Sequence, residues 1–301
     1  MPLEPSNSSR AKPPSAVAPL AGIGLIVLAC LCFSLLDAVA KYLSTSLPTL
    51  QIAWVRFVSH AILAMAMFQV WKSPQYLKTG RPMLQAVRAV CLFGTTVFNF
   101  LALRYLQLAE TMAIMFAAPF VITALAGPFL GEWAGIRRWA AIIVGFIGVL
   151  IVVQPGMGNM HWAAIFSVAA MVSYALYALT TRQLTATDST PGMLIISGVI
   201  ASVVMAPAGL SVWVMPDDIW TWLLLLSTGV FGAVGHYLFI VAHRIAPAPV
   251  LAPFIYIQII WMIALGLVFF NDFPTLTTLV GASIVVGSGL YILYRERAKG
   301  N

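Results

Sequence analysis

Ten residues near the N-terminus read FSLLDAVAKY (33–42), and two of them, Asp37 and Lys41, carry formal charges inside or at the edge of a long apolar run. Arg56 and His60 follow in the next apolar run. A charge buried in apolar surroundings costs several kcal/mol, so it persists where it pairs, gates a path or holds a ligand. Asp37 and Lys41 lie four apart and share one helix face; Arg56 and His60 do the same. Asp37 therefore has two candidate partners, Lys41 and Arg56. Three roles fit the cluster: an ion pair that clamps two helices, a gate or substrate and proton site, and an interfacial anchor with Lys41 snorkelling to water.

Further along, Arg88, Thr95 and Asn99 recur at i, i+7 and i+11. A polar stripe on an otherwise apolar helix faces a wet cavity rather than lipid, although Arg88 is close enough to the start of its run to snorkel. Tyr174, Tyr177 and Thr181 share a face, as do His236 and His243 with Gly232 and Phe239. Gln258 and Trp261 share another, from which Tyr256 points away. A histidine in such a run is either a hydrogen-bonded packing residue or a proton-binding group, since its ordinary pKa is about 6.5. The innermost charges, Asp37 against Arg56 and Arg88, leave one net positive charge. The planar arginine fork suits a carboxylate or phosphate. Aromatic and Met side chains add apolar and cation–π surface. The expected ligand is small, amphipathic and carboxylate-bearing, such as an amino acid or a related metabolite.

Catalytic spacing is missing. There is no H-E-x-x-H and no G-x-S-x-G, and the four histidines, at 60, 161, 236 and 243, are scattered. No G-x-x-x-x-G-K-[ST] occurs, so nothing points to ATP. No catalytic residue, cofactor or metal site is expected. Cys30, Cys32 and Cys91 fall within apolar runs and read as small buried side chains.

The elements that carry these residues follow from composition. Of 301 residues, 61% are apolar and 8% charged, against roughly 25% charged in soluble domains. Such a chain cannot cover itself with polar groups, so its solvent is lipid and nucleic acid is not an expected partner. Ten stretches of roughly the 20 residues needed to span a bilayer lie at 20–40, 50–70, 82–103, 110–130, 136–153, 162–181, 192–214, 219–241, 247–270 and 275–294. Stretches such as AAIIVGFIGVLIVV are continuously apolar, unlike the alternating strands of a membrane barrel. Twelve of the sixteen Lys and Arg fall on the side of the two termini and two on the other. The positive-inside rule then places both termini in the cytoplasm of a multi-pass inner-membrane protein. Residues 1–19 form a Pro- and Ser-rich tail expected to be disordered, and 295–301 form a basic cytoplasmic tail.

A linker at 154–161 divides the chain into five-helix halves, 20–153 and 162–294. At a shift of 140 residues Arg104 meets Arg244 and Glu132 meets Asp272; at 141 Lys41 meets Arg182. An odd number of helices per half inverts one copy relative to the other. The expected fold is thus an all-α polytopic bundle of ten transmembrane helices in two inverted repeats, with a site near the midplane. Ala141, Gly145 and Gly148 in the fifth helix, and Gly281, Ser283 and Gly287 in the tenth, let backbones approach closely. They serve packing or a homodimer contact through those two helices.

The first half reads CFSLLDAVAKYLSTSLPTLQIAWVRF and APFVITALAGPFLGEWAGIRRWAAIIVGFIGVLIVV, with Pro119 and Gly131-Glu132. The second reads APFIYIQIIWMIALGLVFFNDFPTLTTLVGASIVVGSGLYILYRE. From about residue 20 to 297 this pattern resembles the EamA type of the drug/metabolite transporter superfamily. The resemblance implies a central cavity lined by the first, third, fourth, sixth, eighth and ninth helices, with the fifth and tenth at the periphery. It implies a secondary-active carrier working by alternating access on a small-molecule substrate. Export of an amino acid or related metabolite is the expected activity. Uptake of S-adenosylmethionine or a nucleoside-type metabolite is the alternative, and an integral-membrane enzyme or a channel are the rivals of another class. The residues expected at the substrate site or its gates are Asp37, Arg56, His60, Arg88, Thr95, Asn99, Tyr174, Tyr177, His236, Gln258 and Trp261.

Overall fold

The computed structural model describes residues 17–106, 108–153 and 162–271, and single positions between 276 and 294. The expected linker, most of the N-terminal tail, the C-terminal tail and Asp272 lie outside the described residues. Every regular element described is helical. The first half holds α1 (Val17–Leu43), α2 (Thr49–Met67), α3 (Pro82–Leu103), α4 (Leu108–Met115), α5 (Ala118–Leu130) and α6 (Ile136–Val153). The second holds α7 (Ala164–Leu184), α8 (Thr190–Ser211), α9 (Ile219–Ile245), α10 (Ala248–Leu251), a 3₁₀ stretch (Ala252–Ile257) and α11 (Gln258–Phe270). The described positions from 276 to 294 are helical too. Among the described residues six helices, α1, α2, α3, α7, α8 and α9, are long and apolar enough to cross a membrane. Shorter apolar helices accompany them at Ala118–Leu130, Trp139–Gly148 and Phe254–Phe270.

Two expected spans are not single helices. The run 110–130 breaks between Met115 and Ala118, because Pro119 in the first turn of α5 has no N–H and its ring would strike the carbonyl four residues back. The run 247–270 becomes a short helix, a 3₁₀ stretch with Pro253 as its second residue, and α11. The two broken spans end alike. Gly131 closes α5 at φ 71° and Asn271 closes α11 at φ 58°, both left-handed caps. Glycine adopts that conformation without a Cβ clash, and Asn is among the few other residues that tolerate it.

Packing partners occur in matched pairs across the halves. α1 lies on α9 as α7 lies on α3; α11 lies on α1 as α5 lies on α7; α2 lies on α9 as α8 lies on α3. Another extensive contact, α2 on α8, joins equivalent helices. That is the pattern of two similar units related by a twofold axis, and it is consistent with a two-repeat architecture.

The two ends of the bundle are tied differently. At the basic end the loop before α3 docks on the α7–α8 turn: Ser189 Oγ donates to Tyr76 O (3.2 Å) and the Gly80 N–H to Asp188 Oδ1 (3.2 Å). Arg244 Nη2 donates to Asp188 O at 2.7 Å. At the opposite end Lys41 Nζ donates to Leu106 O (3.1 Å), and Gln51 exchanges two hydrogen bonds with the Val214 backbone (2.7 and 2.8 Å). Asp218 caps α9 there, accepting from the Thr221 N–H at 2.8 Å, and that bond holds its carboxyl below the ordinary range. The small residues of α6 are taken up inside the chain: Ser288 Oγ donates to Ala141 O (2.6 Å), and a Cβ on Gly145 would stand 2.7 Å from the Tyr256 ring.

Candidate functional site

A small cavity of about 70 Å³ sits inside the bundle. α1 contributes Phe33, Leu36 and Asp37; α2 contributes Arg56; α3 contributes Thr95, Thr96, Asn99 and Phe100. Met112, Met115 and Phe116 come from α4 and the break after it, Tyr174 from α7, His236 from α9, and Ile255 and Gln258 from the 3₁₀ stretch and α11. Asp37 is six residues from the end of α1 and Arg56 seven into α2, each about 9–11 Å along the helix axis. The cavity therefore lies toward the end opposite the basic one. The broken helices matter here, because their interruption turns Met115, Phe116 and Ile255 toward the centre.

Asp37 and Arg56 are both buried and line the same cavity, yet each has a different polar partner. Asn99 Nδ2 donates to Asp37 Oδ1 at 2.9 Å. Arg56 Nη2 lies 3.0 Å from His236 Nε2. Arg56 Nε and Nη1 are buried without a hydrogen-bond partner. Gly232 packs beside the guanidinium; a Cβ there would sit in ordinary contact, 3.5 Å from Cζ and Nε. Phe57 lies beneath the guanidinium carbon at 4.6 Å, a cation–π distance.

A hydrogen-bonded layer underlies the cavity on the side of the basic end. Tyr177 Oη is 3.0 Å from His236 Nδ1 and takes a hydrogen bond from Arg88 Nη2 at 3.0 Å. Arg88 is wholly buried. It also donates from Nε to Thr181 Oγ1 (2.8 Å) and from Nη1 to Met193 O (2.8 Å) and Ser197 Oγ (2.5 Å). All three nitrogens are thus in use, and neither cavity contact nor snorkelling describes this residue. His60 Nε2 donates to Leu194 O at 3.3 Å, and its ring lies 5.8 Å from that of His236.

Of the residues expected at a site, the cavity brings together Asp37, Arg56, Thr95, Asn99, Tyr174, His236 and Gln258. Arg88, Tyr177 and His60 lie outside it in the underlying layer. Trp261 is half-buried against the core, with Nε1 unpartnered. Sequence reasoning missed Phe33, Leu36, Thr96, Phe100, Met112, Met115, Phe116 and Ile255. Phe33 stands four residues before Asp37, on its face, and that spacing was a usable signal. The other apolar linings look the same in the sequence as lipid-facing ones.

At the basic end Arg182 Nε donates to Glu132 Oε1 at 2.6 Å and Arg182 Nη1 to His243 O at 2.7 Å. The Ala248 N–H donates to Glu132 Oε2 at 3.0 Å. One carboxylate from the end of α5 thereby holds α7 and α10. Beside it a vestibule of about 450 Å³ is rimmed by Arg81, Arg182 and Arg244.

Among the described residues, an all-helical bundle with membrane-length apolar helices encloses a cavity between two similar halves, an arrangement consistent with a small-molecule transporter. The model of the EamA-like transporter family matches residues 20–154 and again 161–294, and the chain belongs to that family. It is similar to the S-adenosylmethionine uptake transporter of Rickettsia bellii, with 30% identity over 277 residues, 92% of this chain and 94% of that protein. It is 26% identical to the riboflavin transporter of Vibrio cholerae over 286 residues, 93% of this chain and 95% of that one. It is also 26% identical to the pseudopaline exporter of Pseudomonas aeruginosa over 268 residues, 88% and 93% of the two chains.

Proposed function

We propose that the protein is a secondary-active carrier that moves a small metabolite bearing a carboxylate and a cationic group across the plasma membrane by alternating access. Ten crossings in two inverted repeats, 20–153 and 162–294, with both termini cytoplasmic, provide the frame. The observation that carries the reading is the pair Asp37 and Arg56: opposite charges on one cavity wall, not bonded to each other, with two arginine nitrogens unpartnered. Two buried charges kept apart are costly unless a ligand completes them. Asp37 takes the cationic group and Arg56 the carboxylate, while Phe33, Phe100, Phe116 and Tyr174 cover the apolar remainder. An amino acid, or an amino-acid conjugate with an aromatic base, has that chemistry. Asn99 orients Asp37, Thr95 and Gln258 offer further hydrogen bonds, and His236, Tyr177, His60 and Arg88 hold the floor.

Export is the direction we favour, with the basic end cytoplasmic. Uptake is the second reading, supported by the name of the Rickettsia relative. Counterflow of labelled amino acids and S-adenosylmethionine into proteoliposomes tests the substrate class. Asp37→Asn and Arg56→Gln are each expected to weaken the apparent affinity at least tenfold, the equivalent of about 1.4 kcal/mol. Normal counterflow by both variants would remove the pair from the site. Conversion of the labelled compound without net transfer would point to an enzyme.

A further inference from the structure

Arginine donates and cannot accept. Its Nη2 at 3.0 Å from His236 Nε2 therefore requires a lone pair on Nε2, and the proton of the neutral ring sits on Nδ1. Nδ1–H donates to Tyr177 Oη at 3.0 Å, whose second lone pair takes Arg88 Nη2. The ring is held between Phe33, 4.8 Å away, and Tyr177, 5.3 Å away by centroids. A second proton has one place to attach, Nε2, where Arg56 already points. Proton and guanidinium compete for one pair of electrons.

The charged and titratable groups that face His236, among the described residues, are Asp37 from α1, Arg56 and His60 from α2, Arg88 of α3 through Tyr177, and Tyr177 and Tyr174 from α7. Asp37 is the carboxylate among the cavity's lining residues. A guanidinium pushed off the histidine therefore finds its opposite charge on the same wall.

We propose that the His236–Arg56 contact is a proton-operated switch that makes this carrier an exchanger of protons for its substrate. A proton from water in the cavity binds the Nε2 lone pair and leaves an imidazolium. Arg56 loses its acceptor and moves to the Asp37 carboxylate. Both charged ends of the ligand lose their partners, and the ligand leaves. Release of the proton from Nε2 to water on the other side returns Arg56 to His236 and frees Asp37. One proton is bound for each ligand released, and no covalent bond changes other than that N–H. The switch rests on the site reading above, in which Asp37 receives the cationic group.

Two measurements decide it, and the first needs no substrate. Nitrogen-15 NMR of histidine- and arginine-labelled full-length protein in lipid, with His236 assigned by comparison with His236→Gln, is expected to show the Nδ1–H tautomer at neutral pH. Acidification is expected to convert the ring to imidazolium in step with a change at the Arg56 Nε signal. An Nε2–H tautomer, an Arg56 signal that does not follow the titration, or a ring that stays neutral wherever the protein is folded would overturn the proposal. The second uses labelled S-adenosylmethionine in proteoliposomes with an interior one pH unit more acid. One-for-one exchange raises steady-state accumulation up to about tenfold over equal pH, and His236→Gln is expected to give the same level with and without the step. A variant that still responds as the wild type does sinks the switch. If the wild type moves no S-adenosylmethionine, that substrate is excluded, and the NMR result alone decides the switch.

Discussion

Arg182 Nε lies 2.6 Å from Glu132 Oε1, which joins the end of α7 to the loop that closes α5. The same carboxylate accepts from the Ala248 N–H. Three segments of the basic end therefore converge on one acidic side chain, while the cavity extends toward the other end. In the proposed alternating-access cycle this ion pair is expected to part when the basic end opens.

Glu132→Gln keeps an acceptor for Ala248 and removes the charge that holds Arg182. The expected result is access to the cavity from the basic end. A cysteine at Met115, with Cys30, Cys32 and Cys91 replaced, reports it through reaction with a membrane-impermeant thiol reagent. With Glu132 intact the reagent should react from the opposite end; with Gln it should react at least several-fold faster from the basic end. Equal rates in the two backgrounds would remove the ion pair from any gating role.

Arg88 holds together hydroxyls of Thr181, Ser197 and Tyr177 and the Met193 carbonyl. Arg88→Ala leaves these buried groups without their donor, at about 1–3 kcal/mol for each group left unsatisfied. Thermal unfolding in detergent should show a large loss, with Arg88→Lys in between because an ammonium has three donors and no planar fork. A variant that unfolds normally yet loses transport would instead give Arg88 a direct role toward substrate.

Gly131 and Asn271 cap equivalent helices in the left-handed region. Gly131→Ala puts a Cβ into that conformation and should cost about 1–2 kcal/mol. Asn271→Gly removes a Cβ and should be neutral or slightly stabilising. The two unfolding temperatures, measured under one condition, check the pair; equal effects would mean that the caps are not strained.

Close helix approach gives a further contrast. A Cβ on Gly229 would run into Ser59 Oγ and stand 2.8 Å from the His60 backbone nitrogen, whereas one on Gly24 meets nothing within 4 Å. Gly229→Ala should cost about 1–3 kcal/mol through overpacking of α2 on α9, and Gly24→Ala should not. Comparable melting of the two variants would show that α2 can shift aside freely.

Much of the fold was legible because hydropathy is a local property. The long runs at 20–40, 82–103 and 219–241 appear as single helices. The runs at 110–130 and 247–270 were equally apolar but are broken, and the prolines at 119 and 253 were the available signal. Asp37, Arg56, Asn99 and His236 stood out in the sequence because polar groups are rare in such runs. Arg88 and Tyr177 stood out for the same reason, yet they lie in the layer below the cavity. Helical periodicity gives a residue's face on its own helix and says nothing of which helix covers that face. The apolar linings, Met112, Phe116 and Ile255, carried no signal, since wall and lipid contact use the same side chains.

Composition, run length and the 140-residue spacing alone pointed to a helical membrane protein built from two similar halves, and the resemblance to a transporter family added the carrier function; burying so much apolar surface leaves a chain no other solvent. Tertiary structure decided which buried charges share the cavity and which are spent on packing. The partners of Arg56 and Arg88 lie 180 and 89–109 residues away in the chain. A guanidinium's role is set by the donors and acceptors that meet it there, and only the packing of the two halves brings those groups together.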